Sequence, residues 1–369
     1  MEKKVGPKIM LSGGGTGGSV TPLLAVAAEL FQEESEIEIL FVGSQSGPEK
    51  ELVENFSDKG RIKFITISAG KWRRYFSFHN LIDIFKIGLA FFESLKILRQ
   101  EQPDIVMSAG SFVSVPLVWA AAVKRIPILI HQQDIRPGLA NRLMAPFARV
   151  VTISFEKSFA DYGPRAVWTG NPLRDLTGYQ DNVALTREKY GLASNQPLVL
   201  VLGGGTGALG INRLIAEIKS KLVDVCQTVH LTGKGKGVEI VNSDNYQAWE
   251  FLPQEEVLSL MASADLVVSR AGLGALTELI GLAKPTILIP MPNSHQEDNA
   301  IVFRDNHAAL VLDQNTLTGE DLLKEITGLL SDADKRRQLS VNIARLLKSR
   351  AAENIAALVW EIVGPKEKR

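Results

Sequence analysis

The chain has 369 residues, enough for two domains of ordinary size. Its 41 basic and 41 acidic residues balance, which excludes a global field for nucleic acid. The single cysteine, Cys226, excludes a disulfide framework and a zinc cluster. No apolar stretch is long enough for a bilayer span, and the start MEKKVGPKIM lacks the apolar core of a signal peptide, so a soluble cytoplasmic protein is expected.

Short unbroken apolar runs alternate with longer helical patterns, the mark of parallel sheets covered on both faces. The expected strands are KIMLSG, IEILFVGS, IKFITIS, DIVMSAG, PILIHQQ, RVVTIS and AVWTGNP in the first half. In the second half they are PLVLVLGG, QTVHLTG, AWEFLP, DLVVSRAG, PTILIPMP and ALVLD. The polar, turn-rich GNPLRDLTGYQDNVALT lies between them, so domains are expected over 1–175 and 176–369, each an α/β, doubly wound unit. The helical segment 332–363 is expected to pack back across the junction, its C-terminal helix on the first domain.

The first strand runs into Gly13, Gly15 and Gly18, a G-x-G-x-x-G pattern that opens a helix. Such glycines allow a tight turn, and the helix that follows points free amides at an anion. No Walker A lysine is present, which argues against an NTPase. A dinucleotide dehydrogenase needs an acid at the end of the second strand. That strand ends Val42-Gly43-Ser44-Gln45, Glu38 falls inside it, and its counterpart ends Leu231-Thr232-Gly233.

Next comes GKWRRYFSFHNLIDIFKIGLAFFESLKIL. Basic Arg73 and Arg74 lie among Trp72, Tyr75 and Phe76, ahead of a helix apolar on more than one face, with Leu89 and Phe92 among its apolar residues. This composition suits an anionic membrane surface or, equally, a core helix with a solvated loop. The run SFVSVPLVWAAAV reads as a buried helix.

The second half repeats the glycine unit at Gly203, Gly205 and Ala208. Further on, Arg270-Ala271-Gly272-Leu273-Gly274 follows a strand and opens another helix, with Glu278 two turns in, placed to accept ribose hydroxyls. His295, Gln296 and Asn299 enter the next helix, with side chains suited to sugar hydroxyls. Together these describe a nucleotide-sugar site at the carboxyl ends of parallel strands. Asp332-Ala333-Asp334 spells a metal-binding D-x-D, but it opens a Lys/Arg-rich helix and reads as a cap, so no metal is expected.

Over nearly its whole length the chain resembles the MurG family of lipid-linked N-acetylglucosaminyltransferases. The motifs that carry this are GGGTGGSVTPLLAVA, HQQDIRPGLANRLMAPFA, TGNPLR, GGGTGALGIN and the SRAG…TEL…ILIP…HQ…NA run. The resemblance implies the GT-B fold, two Rossmann-like domains facing a cleft, and an inverting transfer of GlcNAc from UDP-GlcNAc to the C4 hydroxyl of lipid I, forming lipid II without a cofactor. It implies uracil recognition around Phe251 and Leu252, ribose at Glu278, and pyrophosphate at Gly205, Thr206, Gly207, Gly272, Gly274 and Arg174. GlcNAc would meet His295, Gln296 and Asn299. Asn212, Asn141, Thr16, Gly17 and Gly18 also fall at donor positions. Gly14, Gly15, Gly17 and Ser19 would face the acceptor diphosphate. Implied partners are UDP-GlcNAc, undecaprenyl-linked lipid I, the anionic inner-membrane surface and other cell-wall synthesis proteins, with the protein peripheral on the cytoplasmic face.

The chain departs from the family at Ser19, where His is usual, at His131-Gln132-Gln133-Asp134, where His-Glu-Gln-Asn is usual, and at Phe112, where Tyr is common. His131 and Asp134 are therefore the two readings for the base. Another GT-B transferase, or a catalytically impaired UDP-sugar-binding homologue, stays open as an alternative.

Overall fold

A computed structural model describes residues 6–15, 17–45, 47–56, 60–68, 78–173, 176–204, 207–237 and 242–364, with side chains of the 78–101 helix from residue 86 onward. Among these residues thirteen strands form two sheets. The first contains β1 (Lys8–Ser12), β2 (Glu38–Ser44), β3 (Ile62–Ile67), β4 (Ile105–Ser108), β5 (Ile128–Gln132), β6 (Val150–Ile153) and β7 (Ala166–Trp168), in the order β3-β2-β1-β4-β5-β6-β7. The second contains β8 (Leu198–Leu202), β9 (Gln227–Leu231), β10 (Tyr246–Trp249), β11 (Leu266–Ser269), β12 (Thr286–Leu288) and β13 (Leu310–Val311), in the order β10-β9-β8-β11-β12-β13. The pairings within both sheets are parallel. In each sheet the order reverses beside its first strand, the doubly wound pattern.

The expected strands are all present, because strands covered on both faces must be apolar throughout. β1, β4, β5, β8 and β11 are buried along almost every residue. The tenth is shifted: AWEFLP is expected to pair, but β10 is Tyr246–Trp249 and ends before Glu250. The wholly buried Tyr246 ring anchors its start, with the hydroxyl 2.6 Å from His230 Nδ1. Glu250 instead accepts the Gly235 amide at 3.3 Å.

The chain divides into two units, Met1–Arg174 with Lys348–Arg369, and Asp175–Leu347. In the first, the helix Ala351–Val363 buries Ile355, Ala356 and Val359 against Leu23, Ala27 and Leu30 of the helix Thr21–Glu33. The returning backbone packs on Gly170, whose φ of +84° and nearness to the Lys348 carbonyl leave no room for a Cβ. Asn354 Nδ2 donates to Thr169 O at 3.4 Å, and Lys348 Nζ to Trp168 O at 3.2 Å. The helix Ser114–Val123 is buried along most of its length, as its sequence requires. Asp332 caps the helix Ala333–Ala344 by accepting Lys335 N at 2.8 Å, so the D-x-D triplet is a helix start.

Candidate functional site

In the second unit β8 and β11 are neighbours at the reversal of strand order. Open α/β sheets hold ligands at the carboxyl end of that point. The helix Leu209–Leu222 follows β8, and the helix Leu273–Gly281 follows β11; neither has a side chain capping its first amides. Three helix starts in the same unit do have side-chain caps, from Ser294, from a Thr318–Asp321 capping box and from Asp332, while the helix Gln254–Ser263, like these two, has none. An uncapped start leaves N–H groups and a positive dipole end for an anion. The turn after β8 depends on Gly207, at φ +73°, where a Cβ would meet the Thr232 carbonyl and lie 2.6 Å from Gly233 Cα.

Polar groups converge beside these amides. Gln254 Nε2 donates to Glu278 Oε1 at 2.6 Å, tying the segment of Phe251 and Leu252 to the helix that carries Glu278. Phe251 is exposed, with Lys234 Nζ 4.9 Å from its ring centroid, an amphipathic platform for a flat ring. Gln296 Oε1 accepts Met291 N at 3.0 Å, which turns its amide nitrogen toward Gly272. His295 beside it is exposed.

Burial reassigns two asparagines. Asn299 is fully buried and donates to Ala271 O at 3.1 Å, so it holds the turn before Gly272 from beneath. Asn212 is fully buried too: its Nδ2 donates to Thr232 O and Lys236 O at 3.0 and 2.8 Å, and its Oδ1 faces His230 Nε2 at 3.0 Å. Lys236 Nζ then reaches Gly207 O at 3.1 Å, so this chain of bonds ends on the glycine turn. Arg270, unassigned by sequence reasoning, is almost wholly buried; it donates to Ile289 O at 2.8 Å, to Pro290 O at 2.9 Å and to Gln314. It straps together the loops after β11, β12 and β13. Its place in the SRAG run is the only sequence signal of that work.

In the first unit the inner half of the glycine loop is already engaged. Gly14 N donates to Ser19 Oγ at 3.0 Å, and that hydroxyl donates back to Gly14 O. Gly15 N donates to Glu49 Oε2 at 3.2 Å. The Gly14 and Gly15 amides and the Ser19 hydroxyl are thus engaged within the protein, whereas the start of the helix Thr21–Glu33 has no side-chain cap.

His131, on β5, is fully buried, with Nδ1 2.9 Å from Thr152 Oγ1 and Nε2 2.8 Å from Asn171 Oδ1. Since the amide oxygen can only accept, Nε2 carries the proton and Nδ1 accepts from threonine. Desolvation lowers its pKa to about 4. Both nitrogens are committed, which is the placement of a structural imidazole rather than of a base that meets substrate. Asp134 is half-buried past the end of β5, in a loop held by the Gln132 amide through Asp134 O and, at 3.3 Å, Arg136 O. Asn141 is buried and donates to Gln132 Oε1 at 2.6 Å. Thr16, Trp72, Arg73, Arg74, Tyr75, Phe76, Arg174, Gly205 and Thr206 lie outside the described residues.

Two doubly wound parallel units of this order, with a nucleotide-sugar constellation in the second, define a GT-B glycosyltransferase. The glycosyltransferase family 28 N-terminal domain matches residues 9–153, and the family 28 C-terminal domain matches residues 198–356. The chain belongs to glycosyltransferase family 28 and, within it, to the MurG group. A Clostridium kluyveri protein named UDP-N-acetylglucosamine–N-acetylmuramyl-(pentapeptide) pyrophosphoryl-undecaprenol N-acetylglucosamine transferase is 37% identical over 87% of this chain and 91% of its own. One of the same name from Lachnospira eligens is 36% identical over 95% and 98%. In fold, the chain is similar to Acinetobacter baumannii MurG, with TM-score 0.70 at 22% identity, covering 96% and 99% of the two chains. The glycotransferase of kitacinnamycin gives 0.74 at 17%, covering 98% and 100%.

Proposed function

We propose that this protein transfers N-acetylglucosamine from UDP-GlcNAc to the C4 hydroxyl of the N-acetylmuramyl unit of lipid I, producing lipid II. The observation that carries the reading is the pair of uncapped helix starts after β8 and β11, with Glu278 beside them, in a chain 36–37% identical to enzymes of that name. In this reading the second unit binds the donor. Phe251 and the backbone at Leu252 take the uracil, Glu278 the ribose, the amides at Gly272 and Gly274 and the helix start beyond the Gly207 turn the diphosphate, and Gln296 with His295 the sugar. The first unit binds the acceptor.

The reaction is a single displacement with inversion. The bond from the acceptor C4 oxygen to the anomeric carbon forms as the bond to the UDP oxygen breaks, and the electron pair leaves with UDP. Preorganised amides at helix starts stabilise the charge arriving on the diphosphate. Asp134 receives the hydroxyl proton, because His131 has no nitrogen to spare. The Gln132 amide bonds fix the loop from which Asp134 acts.

Glu278→Ala should raise the Kd for UDP-GlcNAc about 10- to 100-fold, the scale of two hydrogen bonds to a charged acceptor. Calorimetric titration reads this directly, and an unchanged Kd removes Glu278 from the site. The reaction itself is tested by UDP release from UDP-GlcNAc with and without a lipid I analogue. Release that ignores the lipid sinks the acceptor assignment.

Peripheral membrane attachment is part of the same proposal. Among the described residues no helix is long and apolar enough to cross a membrane. On the first unit Phe92 is 68% exposed, Leu89 55% and Phe147 50%, and Leu139 and Leu143 are also open to solvent. Arg142 and Arg165 line a cavity of about 410 Å³ on the same unit. Leu89→Ser with Phe92→Ser should reduce co-sedimentation with phosphatidylglycerol vesicles at least about fivefold, from lost apolar insertion. Equal pelleting of variant and parent would place the contact elsewhere.

A further inference from the structure

The first glycine loop has an anion of its own. Glu49 opens the short helix Glu49–Glu54 and is wholly buried. One carboxylate oxygen accepts the Ser44 amide at 2.7 Å and the Ser44 hydroxyl; the other accepts the Gly15 amide at 3.2 Å. Among the described residues its partners are N–H and O–H groups, not a cation. Three glycines make room for it. A Cβ on Gly14 would lie 2.6 Å from Glu49 Oε1, one on Gly43 2.6 Å from its Cγ, and one on Gly47 would strike Oε2. Segments from β1, β2 and the β2–helix connection are thus built around one carboxylate.

A buried charge without a counter-ion is costly unless fixed dipoles replace its water. Here the dipoles come from the loop that a glycine-rich turn would otherwise offer to a phosphate. The inner amide is consumed, and a negative charge lies beneath the turn, where it repels a second anion. We propose that Glu49 is a positioning residue for the acceptor. It occupies the inner half of the first glycine loop, pins Gly15 to the end of β2, and so directs the acceptor diphosphate to Gly17, Gly18 and the start of the helix Thr21–Glu33. This inference rests on the reading of the first unit as the acceptor side.

The test compares steady-state kinetics of the full chain with Glu49→Gln and Glu49→Asp, varying a lipid I analogue and UDP-GlcNAc separately. Glutamine keeps the shape but has only one accepting oxygen, so Ser44 and Gly15 can no longer both be satisfied. Aspartate keeps the charge but cannot span to Gly15. Each variant should raise the acceptor KM about tenfold, the scale of one charge-assisted hydrogen bond, with UDP-GlcNAc KM within about twofold of the parent. Exchange of the Gly15 amide should quicken in both. Ser44→Ala removes one bond but leaves Gly15 tied, and its acceptor KM should stay near that of the parent. Should glutamine prevent folding, aspartate alone decides the matter. Parental KM values for both substrates in a folded variant overturn the proposal, as does an equal acceptor shift in Ser44→Ala. A rise in UDP-GlcNAc KM alone would instead overturn the acceptor-side reading beneath it.

Discussion

Replacing Gly207 with alanine is expected to weaken UDP-GlcNAc binding about 30- to 100-fold, roughly 2–3 kcal/mol, while the protein stays folded. The position has φ +73°, which alanine tolerates poorly, and the new Cβ would meet the Thr232 carbonyl and Gly233 Cα. Those atoms are backbone, and Thr232 O is itself held by Asn212. Neither side can yield cheaply, so the turn after β8 must move, and with it the helix start proposed to hold the diphosphate. The strain lies outside the β8 and β11 core, so the variant should fold with a lowered melting temperature, while the Kd carries the displacement of the turn itself. Donor affinity within about threefold of the parent would mean that this turn does not hold the nucleotide.

Acid should destabilise each unit through one imidazole. His131 and His230 are both fully buried and neutral, and burial lowers each pKa from 6.5 to about 4. His230 donates from Nε2 to Asn212 Oδ1 and accepts the Tyr246 hydroxyl at Nδ1. Between those two pKa values the unfolded chain takes up a proton that the folded chain refuses. Stability is therefore complete above about pH 6.5 and falls as the pH drops toward 4, by about 3 kcal/mol per histidine. Urea unfolding of the parent and of His230→Gln at several pH values isolates the effect, since other titrating groups cancel in the difference. Between pH 6 and 4.5 the variant should be less pH-sensitive by about 1 kcal/mol per pH unit. Parallel pH profiles would show that His230 is not the acid-sensitive group.

The sheets were legible because a strand covered on both faces is written as an unbroken apolar run. β10 was read late because its anchor, Tyr246, sits among polar neighbours in SDNYQ, and only tertiary burial makes it a core residue. The helix starts after β8 and β11 were legible as glycine turns feeding helices. What a side chain does at such a turn was not. Asn212 and Asn299 have the chemistry of sugar-reading groups, yet they face inward, and nothing in a linear sequence separates an amide that meets ligand from one that braces a loop. The histidine in HQQD was open to a catalytic reading until both of its nitrogens were accounted for. Glu49 gave no sign at all. It is 34 positions from Gly15, in a run that reads as an ordinary acidic helix start.

The helix Ala351–Val363 completes the apolar layer over β1 and β4, although 173 residues of the other unit, Asp175–Leu347, intervene in the chain. During translation the later unit is therefore whole first, whereas the earlier one waits on the ribosome with an oily flank uncovered. Domains ordinarily mature from the amino terminus as they emerge. Here the order in which the two units become complete in the chain is reversed.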